Sequence, residues 1–230
     1  MKLKILTFNI QHCKNYISKE IDVNSVVSLI KETNADIIGL NEVYGAYDNK
    51  IAQYEEIANK LNYYYYFGKA IDYKNIPYGN ALISRFALKN PTTIMIPDPE
   101  IRDNSWYETR CIIKSSFSDF TLNVLVTHFG LFPSEQLSAF STTLQVLNDL
   151  NFKNIVFMGD LNLEPKDKII QDLEKYLINT LGPNNYTYPS INPMKKIDYI
   201  FVSKEIKFTN SKIINKVVSD HLAHYVEIEI

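Results

Sequence analysis

Polar side chains of four types, Asn, Asp, Glu and His, stand at the C-terminal ends of apolar segments along the sequence. They are Asn9 in TFNI, Glu42 in LNEV, His128 in VTHF, Asp160 and Asn162 in MGDLN, Asp198 in KIDYIF, and Asp220 and His221 in SDH. One such residue is ordinary, since a polar residue at a strand end commonly hydrogen-bonds its own loop. Their recurrence in one short chain instead indicates side chains that converge on a site.

These residue types suit one kind of chemistry. Carboxylate and amide oxygens are the hard ligands that Mg²⁺ prefers. An Asp can hold and deprotonate a water molecule, and a His beside a second Asp can stay protonated near a developing negative charge. Phosphoryl transfer needs both functions. The sequence has no Gly-x-Ser-x-Gly, Gly-rich phosphate loop, dinucleotide fingerprint or His-Glu-x-x-His, so no competing set is as complete.

Apolar periodicity predicts the elements that must position these residues. Strands are expected at 3–10, in DIIGLNEV, at 63–67, 80–84, 109–115 and 121–127, and in NIVFMGDLN, KIDYIFVSK and AHYVEIEI. Helices are expected after a cap at Asp22 or Asn24, and at 52–61, 134–150 and 168–176. Some strands follow one another directly and others are separated by a helix. This pattern predicts a mixed α/β sandwich in a single domain, 1–230, with sheets inside and helices outside.

The composition narrows the class of protein. The chain has 230 residues, 24 Lys and Arg against 26 Asp and Glu, and two Cys. This length supports a core without disulfides or a structural zinc, and near-balanced charge argues against a bulk nucleic-acid binder. The N-terminal segment does not resemble a signal peptide, and no apolar run is long enough for a membrane span. We therefore expect a cytoplasmic protein.

The ordered motifs resemble those of the endonuclease/exonuclease/phosphatase superfamily of metal-dependent phosphoesterases. In the family's order they are TFNI, LNEV, YGNALISR, ETR, THFGL, GDLN, KIDYIF and SDH. The resemblance covers nearly the whole chain. It implies an α+β fold, a four-layer α/β sandwich in which two packed, mainly antiparallel sheets are flanked by helices. It also implies a phosphodiesterase or phosphatase that uses Mg²⁺ or Mn²⁺.

The same resemblance assigns roles to individual residues. Glu42 would be the principal metal ligand, with Asn9 and Asp220 at the same or an adjacent metal position. Asp160 would orient and deprotonate the attacking water, and Asn162 would hold that water and a phosphate oxygen. His221 would contact the scissile phosphate, and Asp198 would fix its tautomer and favour the imidazolium form.

Further positions resemble deoxyribonuclease-like and sphingomyelinase-like members. There, His128 would act as a second group for the phosphate or the leaving oxygen. Glu108 and Arg110 would share one face of a strand, where Glu108 could orient His128 and Arg110 could form a salt bridge or reach phosphate. Asn80 would be an amide on the substrate side, and Gly79 would permit close backbone approach.

Other positions depart from the family pattern or remain open. Gln11 stands where apurinic endonucleases have Asp, which weakens an abasic-site function, and Asn41 replaces a common Gln with no expected effect. His12 is expected either to lie near the site, through Asn9, or to be simply a loop residue. His224 is predicted to be structural, and Trp106 lies in a loop that either contacts substrate or anchors the chain.

Several functions stay open on the sequence alone. A nucleic-acid end, a nucleotide or another small phosphodiester is the favoured substrate, because no basic run longer than two residues supports duplex binding. Sphingomyelinase-like activity and phosphomonoester hydrolysis are alternatives, as is a catalytically silent binding module on the same fold. The sequence indicates no obligate protein partner.

Overall fold

Two six-stranded sheets form the centre of the protein in a computed structural model that describes residues 1–46, 48–101 and 108–230. The first sheet contains β1 (Lys2–Asn9), β2 (Ile37–Tyr44), β3 (Tyr64–Tyr73), β4 (Ile76–Ser84), β11 (Lys207–Ile214) and β12 (Ala223–Glu229). The second contains β5 (Leu88–Met95), β6 (Cys111–Phe117), β7 (Asn123–His128), β8 (Ile155–Asp160), β9 (Leu177–Asn179) and β10 (Asp198–Ser203).

The two sheets share one plan. Their strand orders are β11-β12-β1-β2-β4-β3 and β5-β6-β7-β8-β10-β9. Each has one parallel pair, β1 with β2 and β7 with β8, and its other neighbouring strands are antiparallel. The predicted mainly antiparallel sheets are thus confirmed.

Helices cover the outer faces of both sheets. They are α1 (Val23–Thr33), α2 (Gln53–Leu61), α3 (Pro133–Asp149) and α4 (Lys168–Leu173). The Asp22 carboxylate caps α1 by accepting from the Ser25 backbone N–H at 3.0 Å. No helix in the part of the chain that the structure describes is long and apolar enough to cross a membrane.

Three apolar layers hold the sandwich together. Val26 and Ile30 of α1 pack on the outer face of the first sheet, whereas Ala139 and Leu147 of α3 pack on the second. Between the sheets, residues such as Ile5, Val126 and Met158 form the central layer and are fully buried. Each buried aliphatic side chain of this kind contributes about 1.5–3 kcal/mol relative to exposure. The predicted four-layer architecture is therefore confirmed.

Three of the four edge strands, β5, β9 and β11, are elements that the sequence does not predict. β5 and β11 lie at sheet edges, and their residues alternate only weakly between partly buried and exposed positions. Edge strands often carry polar residues that discourage pairing with other chains, so they lack the apolar signature of an inner strand. β6 also begins at Cys111 instead of the predicted residue 109, which leaves Glu108 and Arg110 before the strand.

The parallel pairs bring polar strand ends together. Asn9 is paired with Asn41 across β1 and β2, and His128 is paired with Asp160 across β7 and β8. Asp198, at the start of the antiparallel β10, also faces Asp160. Carboxyl ends of adjacent parallel strands lie at the same edge, so this topology concentrates polar groups from both sheets at one end of the sandwich.

Candidate active site

A cavity of about 690 Å³ lies at this end of the sandwich. Eight of the eleven predicted site residues are among the described residues that line it: Glu42, Glu108, Arg110, His128, Asp160, Asn162, Asp220 and His221. The other three, Asn9, Asn80 and Asp198, are buried.

Asp160 lies at the C-terminal end of β8, where the backbone passes very close to β7. Gly159 has φ of 146°, and a Cβ at this position would lie 1.8 Å from the Thr127 carbonyl oxygen. Only glycine fits there, and its position fixes the exit angle of the next residue. The Asp160 carboxylate accepts from Asn9 Nδ2 at 3.0 Å and from the Asn162 backbone N–H at 2.9 Å.

Two imidazoles lie near the same carboxylate. Asp160 Oδ2 is 3.5 Å from His128 Nε2 and 3.6 Å from His221 Nε2. Burial and the neighbouring Asp198 carboxylate raise the pKa of Asp160, while His221 opposes that increase. The cavity wall therefore holds a carboxylate that can exchange a proton, which suits a general base.

His221 forms a buried pair with Asp198. Its Nδ1 lies 2.8 Å from Asp198 Oδ2, and since an ionised carboxylate only accepts, Nδ1 carries a hydrogen. Burial alone would lower the pKa of His221, but Asp198 and then Asp160 outweigh it and raise this pKa. Tyr188 packs against the His221 ring with 4.9 Å between centroids. The pair thus favours an oriented imidazolium.

His128 is held in the opposite charge state. Burial lowers its pKa well below the ordinary value, and the positive charges of Arg110 and His221 lower it further. Arg110 Nη1 lies 3.2 Å from His128 Nδ1. Arginine is only a donor, so Nδ1 accepts from Arg110. Nε2 lies near Asp160 and is 3.1 Å from the amide nitrogen of Asn162.

Glu108 does not orient His128 in the way the sequence suggests. Its carboxylate instead pairs with Arg110 at 2.9 Å, and it is Arg110 that contacts His128. Both residues precede β6, so the argument from a shared strand face does not apply to them. Arg110 therefore forms a salt bridge with Glu108 and also contacts the His128 imidazole. Glu108 affects the His128 ring only through Arg110.

An irregularity in the strand pairing of β2 sets the orientation of the Glu42 side chain. The pairing of β2 with β4 shifts register between Leu40 and Val43, and Glu42 has φ of 60° in the left-handed region. A bulge of this kind re-aims a side chain. Asn9 Nδ2 donates to Glu42 Oε1 at 3.0 Å, and the Tyr78 hydroxyl donates to Oε2 at 2.7 Å. Both oxygens are thus oriented by buried donors.

Glu42 and Asp220 are the residues that best fit a divalent cation. Both carboxylates line the cavity. Burial raises the pKa of Asp220, and repulsion by Glu42 adds to this effect, although His221 opposes it. Two repelling carboxylates beside a polar cavity form the oxygen-rich, negatively charged donor set that Mg²⁺ or Mn²⁺ prefers.

Asn9 departs from the predicted role of metal ligand. It is fully buried, its Nδ2 donates to both Glu42 and Asp160, and its Oδ1 accepts from the Gln11 backbone N–H at 3.1 Å. In this arrangement Asn9 bridges two carboxylates as a donor, because its oxygen is bound by the loop that follows β1.

A geometric cluster of Asp160, Asp198 and His221 also has ligand atoms within 4.8 Å of one another. Since Asp198 is fully buried and bound to His221, we interpret this cluster as a proton-handling group and not as the metal site.

Asn80 is also placed differently from the prediction. Its Oδ1 accepts from Asn41 Nδ2 at 2.8 Å, and its Nδ2 donates to the Cys111 carbonyl at 3.1 Å. It is 2% exposed and is absent from the described cavity lining. Both ends of this amide bind protein, so Asn80 supports the cavity floor instead of contacting substrate.

Asn41, which the sequence argument treats as neutral, connects the two sheets. Its Nδ2 donates to Asn80 and also to the Thr127 carbonyl at 2.8 Å, while its Oδ1 accepts from the Asp160 backbone N–H at 3.0 Å. It therefore fixes the backbone of Asp160 from the opposite sheet. Its position directly before Glu42 in a buried strand is the signal that could have identified it.

Two tyrosines of the site were not predicted, Tyr78 on Glu42 and Tyr188 on His221. Their contacts arise from distant parts of the chain, so no local pattern marks them. His224 is fully buried, and its Nε2 lies 3.2 Å from both the Thr180 and Ser211 hydroxyls, in a hydrogen-bonded setting. Trp106 lies outside the described residues.

Comparisons with known proteins agree with this fold. The chain is 21% identical over 216 residues to the uncharacterized protein YbhP of Escherichia coli K12, covering 86% of this chain and 84% of YbhP. An endonuclease/exonuclease/phosphatase family protein from Leptotrichia buccalis superposes with a TM-score of 0.79 and 22% identity, over 99% of this chain and 100% of that one. A mannosyl-6-phosphatase from Bacteroides thetaiotaomicron gives a TM-score of 0.79 and 14% identity, over 99% and 100%.

At these identities, the structural likenesses establish a shared fold. The profile of the Endonuclease/Exonuclease/phosphatase family matches residues 6–221, and the chain belongs to this family. Members of the family are hydrolases that act on phosphoesters.

Proposed function

We propose that this protein is a Mg²⁺- or Mn²⁺-dependent phosphoesterase that hydrolyses a small phosphodiester by direct attack of water. The observation that carries this proposal is the position of the Asp160 carboxylate at the cavity wall. It lies within 3.6 Å of the His128 and His221 imidazoles, and these two rings differ in charge state. A carboxylate base beside one neutral and one protonated imidazole supplies the separate proton-handling groups that phosphoryl transfer needs.

Each side chain has one task in this mechanism. Glu42 and Asp220 would hold the metal ion, which would neutralise charge at the phosphate oxygens when bound. Asp160 takes a proton from the attacking water. The water oxygen bonds to phosphorus as the bond from phosphorus to the leaving ester oxygen breaks. His221, kept protonated by Asp198, donates to a phosphate oxygen, and neutral His128 contacts another oxygen through Nε2.

Asn162 supports the same step from the loop after β8. It has φ of 50°, a conformation that Asn tolerates better than most residues, and this directs its side chain beside His128. Its Nδ2 donates to the Phe129 carbonyl at 3.0 Å, which fixes the amide at the cavity wall. We propose that this amide orients the water and one phosphate oxygen.

The charge of the cavity supports a small substrate. Among the described lining residues, acidic side chains outnumber positively charged ones, with Glu42, Glu108, Asp160, Glu164, Asp167 and Asp220 against Arg110, Lys195 and the protonated His221. Arg110 is moreover paired with Glu108. A duplex nuclease needs several cations along its groove to neutralise phosphates, so this cavity favours a substrate with one reacting phosphate.

A phosphomonoester is the second candidate. The acidic lining of the cavity favours a substrate with one phosphate, and that phosphate can be a monoester as well as a diester. The structural relative from Bacteroides thetaiotaomicron is a mannosyl-6-phosphatase. The rates on monoester and diester substrates distinguish the two candidates.

The test is a substrate panel with the purified chain in Mg²⁺, in Mn²⁺ and in excess chelator. The panel contains bis-p-nitrophenyl phosphate, p-nitrophenyl phosphate, single-stranded and duplex DNA, RNA, nucleotides and sphingomyelin vesicles. Asp160→Asn is the inactive variant, and Asp149→Asn, an exposed residue at the end of α3, is the matched control. We expect metal-dependent hydrolysis of the small diester by the wild type and by Asp149→Asn alone. Absence of metal-dependent hydrolysis across the panel would favour the silent binding module.

A further inference from the structure

The loop that follows β1 contains a turn of unusual backbone conformation. Gln11, His12 and Cys13 have φ of 43°, 46° and 59°, so three consecutive residues other than glycine lie in the left-handed region. Such residues cost conformational energy, and they persist only where the surrounding structure fixes them, most often at functional sites.

Hydrogen bonds from three elements fix this turn. Gln53, at the start of α2, donates through Nε2 to the His12 carbonyl at 2.6 Å and accepts from the Tyr44 backbone N–H at 3.0 Å. The Gln11 N–H donates to Asn9 Oδ1 at 3.1 Å. The turn is therefore tied to β1, to β2 and to a buried side chain of α2.

The result of this fixation is the position of the His12 ring. It lines the same cavity as Glu42 and Asp160, as does Tyr73. Behind it, the ring stacks on Tyr44 with 4.7 Å between centroids and an interplanar angle of 24°. Tyr44 is in turn stacked with Tyr73 at 6.4 Å, so these rings form one aromatic side of the cavity.

Packing alone does not explain a histidine at this position. His12 Nδ1 is buried and has no hydrogen-bond partner among the residues that the structure describes. A phenylalanine could stack on Tyr44 without burying an unpaired polar atom, which is unfavourable. A strained turn that places a histidine ring at the cavity, in spite of the cost of a buried unpaired nitrogen, points to a contact of this ring with a ligand.

We infer that His12 is a substrate-binding residue. With Tyr73 it stacks against a planar ring carried by the phosphoester, and an imidazole nitrogen hydrogen-bonds to a polar group of the substrate beside that ring. A nucleoside is the chemical class that joins a planar base, which can stack, to a sugar whose hydroxyl groups can hydrogen-bond. This inference rests on the proposed function, because it places the reacting phosphate at Asp160 and the ring at the aromatic side.

Two variants separate the ring from its nitrogens. His12→Asn removes the ring but keeps a residue type that tolerates the left-handed conformation. His12→Phe keeps an aromatic face and removes both nitrogens. The substrates are p-nitrophenyl thymidine 5′-phosphate, which carries a base, and methyl p-nitrophenyl phosphate, which does not. Both release the same p-nitrophenol.

We expect His12→Asn to lower kcat/KM for the thymidine substrate about tenfold, mainly through KM, because one stacking contact is lost. Its kcat/KM for the methyl substrate should stay within about twofold, since that substrate has no ring to contact. His12→Phe should fall between the wild type and His12→Asn. Equal losses on both substrates, or none on either, would overturn the inference.

Binding provides a readout that does not need turnover. With Mg²⁺ present, calorimetry should show that His12→Asn weakens binding of thymidine 5′-monophosphate about tenfold but leaves binding of inorganic phosphate unchanged. Unchanged affinity for the nucleotide would contradict the role of His12 even in a protein that hydrolyses neither ester. Absence of hydrolysis together with His12-dependent nucleotide binding would instead contradict the proposed function alone.

Discussion

The two sides of the cavity are built in different ways. The cation side, defined as Asn9, Glu42, Tyr78 and Asp220, depends on irregular backbone such as the bulge that carries Glu42 at φ of 60°. The proton side, defined as His128, Asp160, Asp198 and His221, has three of its residues at regular strand ends and relies on side-chain pairs.

This difference separates two physical requirements. A metal ion needs oxygen atoms at set positions, and the bulge supplies position at the expense of backbone strain. Proton transfer needs pKa values that differ between neighbours, and on the proton side burial and mutual charge raise the pKa of Asp160 and His221 and lower that of His128. The two sides should therefore respond differently to added metal.

The largest effect is expected from Asp160→Asn on the proton side. Loss of the base should lower the rate on bis-p-nitrophenyl phosphate by about a thousandfold, within the range typical of general acid–base groups. Because an amide cannot accept the proton, raising the Mg²⁺ concentration should not restore the rate. A metal titration of initial rates measures this, with Asp149→Asn as the control. Recovery at high metal would assign Asp160 to the cation side.

Glu42→Gln should produce the next largest effect and the opposite metal response. Replacing a charged ligand with a neutral one should lower the rate by about a hundredfold at a fixed Mg²⁺ concentration, because several kcal/mol of charge stabilisation depend on the bound ion. The rate should rise again as Mg²⁺ or Mn²⁺ is increased, since the variant keeps an oxygen ligand. A rate that stays low at saturating metal would abolish the distinction between the two sides.

The sequence predicts the proton side better than the cation side. The strand predicted at 3–10 is found at Lys2–Asn9, and Asp160 and Asp198 end and begin inner strands in or next to the predicted segments. These strands have continuous apolar runs, so their ends can be read directly. The topology then brings the ends together, as expected for adjacent parallel strands.

The remaining features depend on contacts between distant residues. The side-chain amide of Asn80 is hydrogen-bonded to Asn41 through its oxygen and to the Cys111 carbonyl through its nitrogen. No local sequence pattern could reveal that both ends of this amide have protein partners. The left-handed turn around His12 contains no glycine to mark it. Edge strands such as β11 also lack a periodic apolar face, since solvent contacts much of their surface.

A smaller effect is expected from Tyr78→Phe. The hydroxyl donates to Glu42 Oε2 at 2.7 Å, so its removal should leave the ligand in place but less well oriented. Loss of an outer contact to a metal ligand typically costs about 10–100-fold in metal affinity or activity, and we expect the lower end. Mn²⁺ binding followed by electron paramagnetic resonance measures the affinity directly. The control is Tyr66→Phe, whose hydroxyl bonds to Thr93 on the neighbouring sheet; an equal change in both variants would contradict the role of Tyr78.

The smallest effect on activity is expected from a change that alters stability behind the proton side, where Lys196 is buried just before Asp198. Its ammonium group donates to the Leu181 carbonyl and to Asn179 Oδ1, and no carboxylate pairs with it among the described residues. Burial lowers the pKa of Lys196 to about 8 from 10.5. Between these two values the unfolded chain binds more protons than the folded one, so this lysine makes the free energy of unfolding rise with pH across that window.

Lys196→Met removes this titration. The difference in unfolding free energy, wild type minus variant, should therefore increase by about 2–3 kcal/mol between pH 8 and pH 10.5, as measured by urea denaturation at each pH. Lys195→Met, which changes the neighbouring cavity-lining lysine, is the control and should show no such increase. A difference that stays constant with pH would mean that Lys196 keeps its charge in the folded protein. The buried network behind the proton side would then be a permanently charged support, and pH would affect that side only through its own carboxylates and imidazoles.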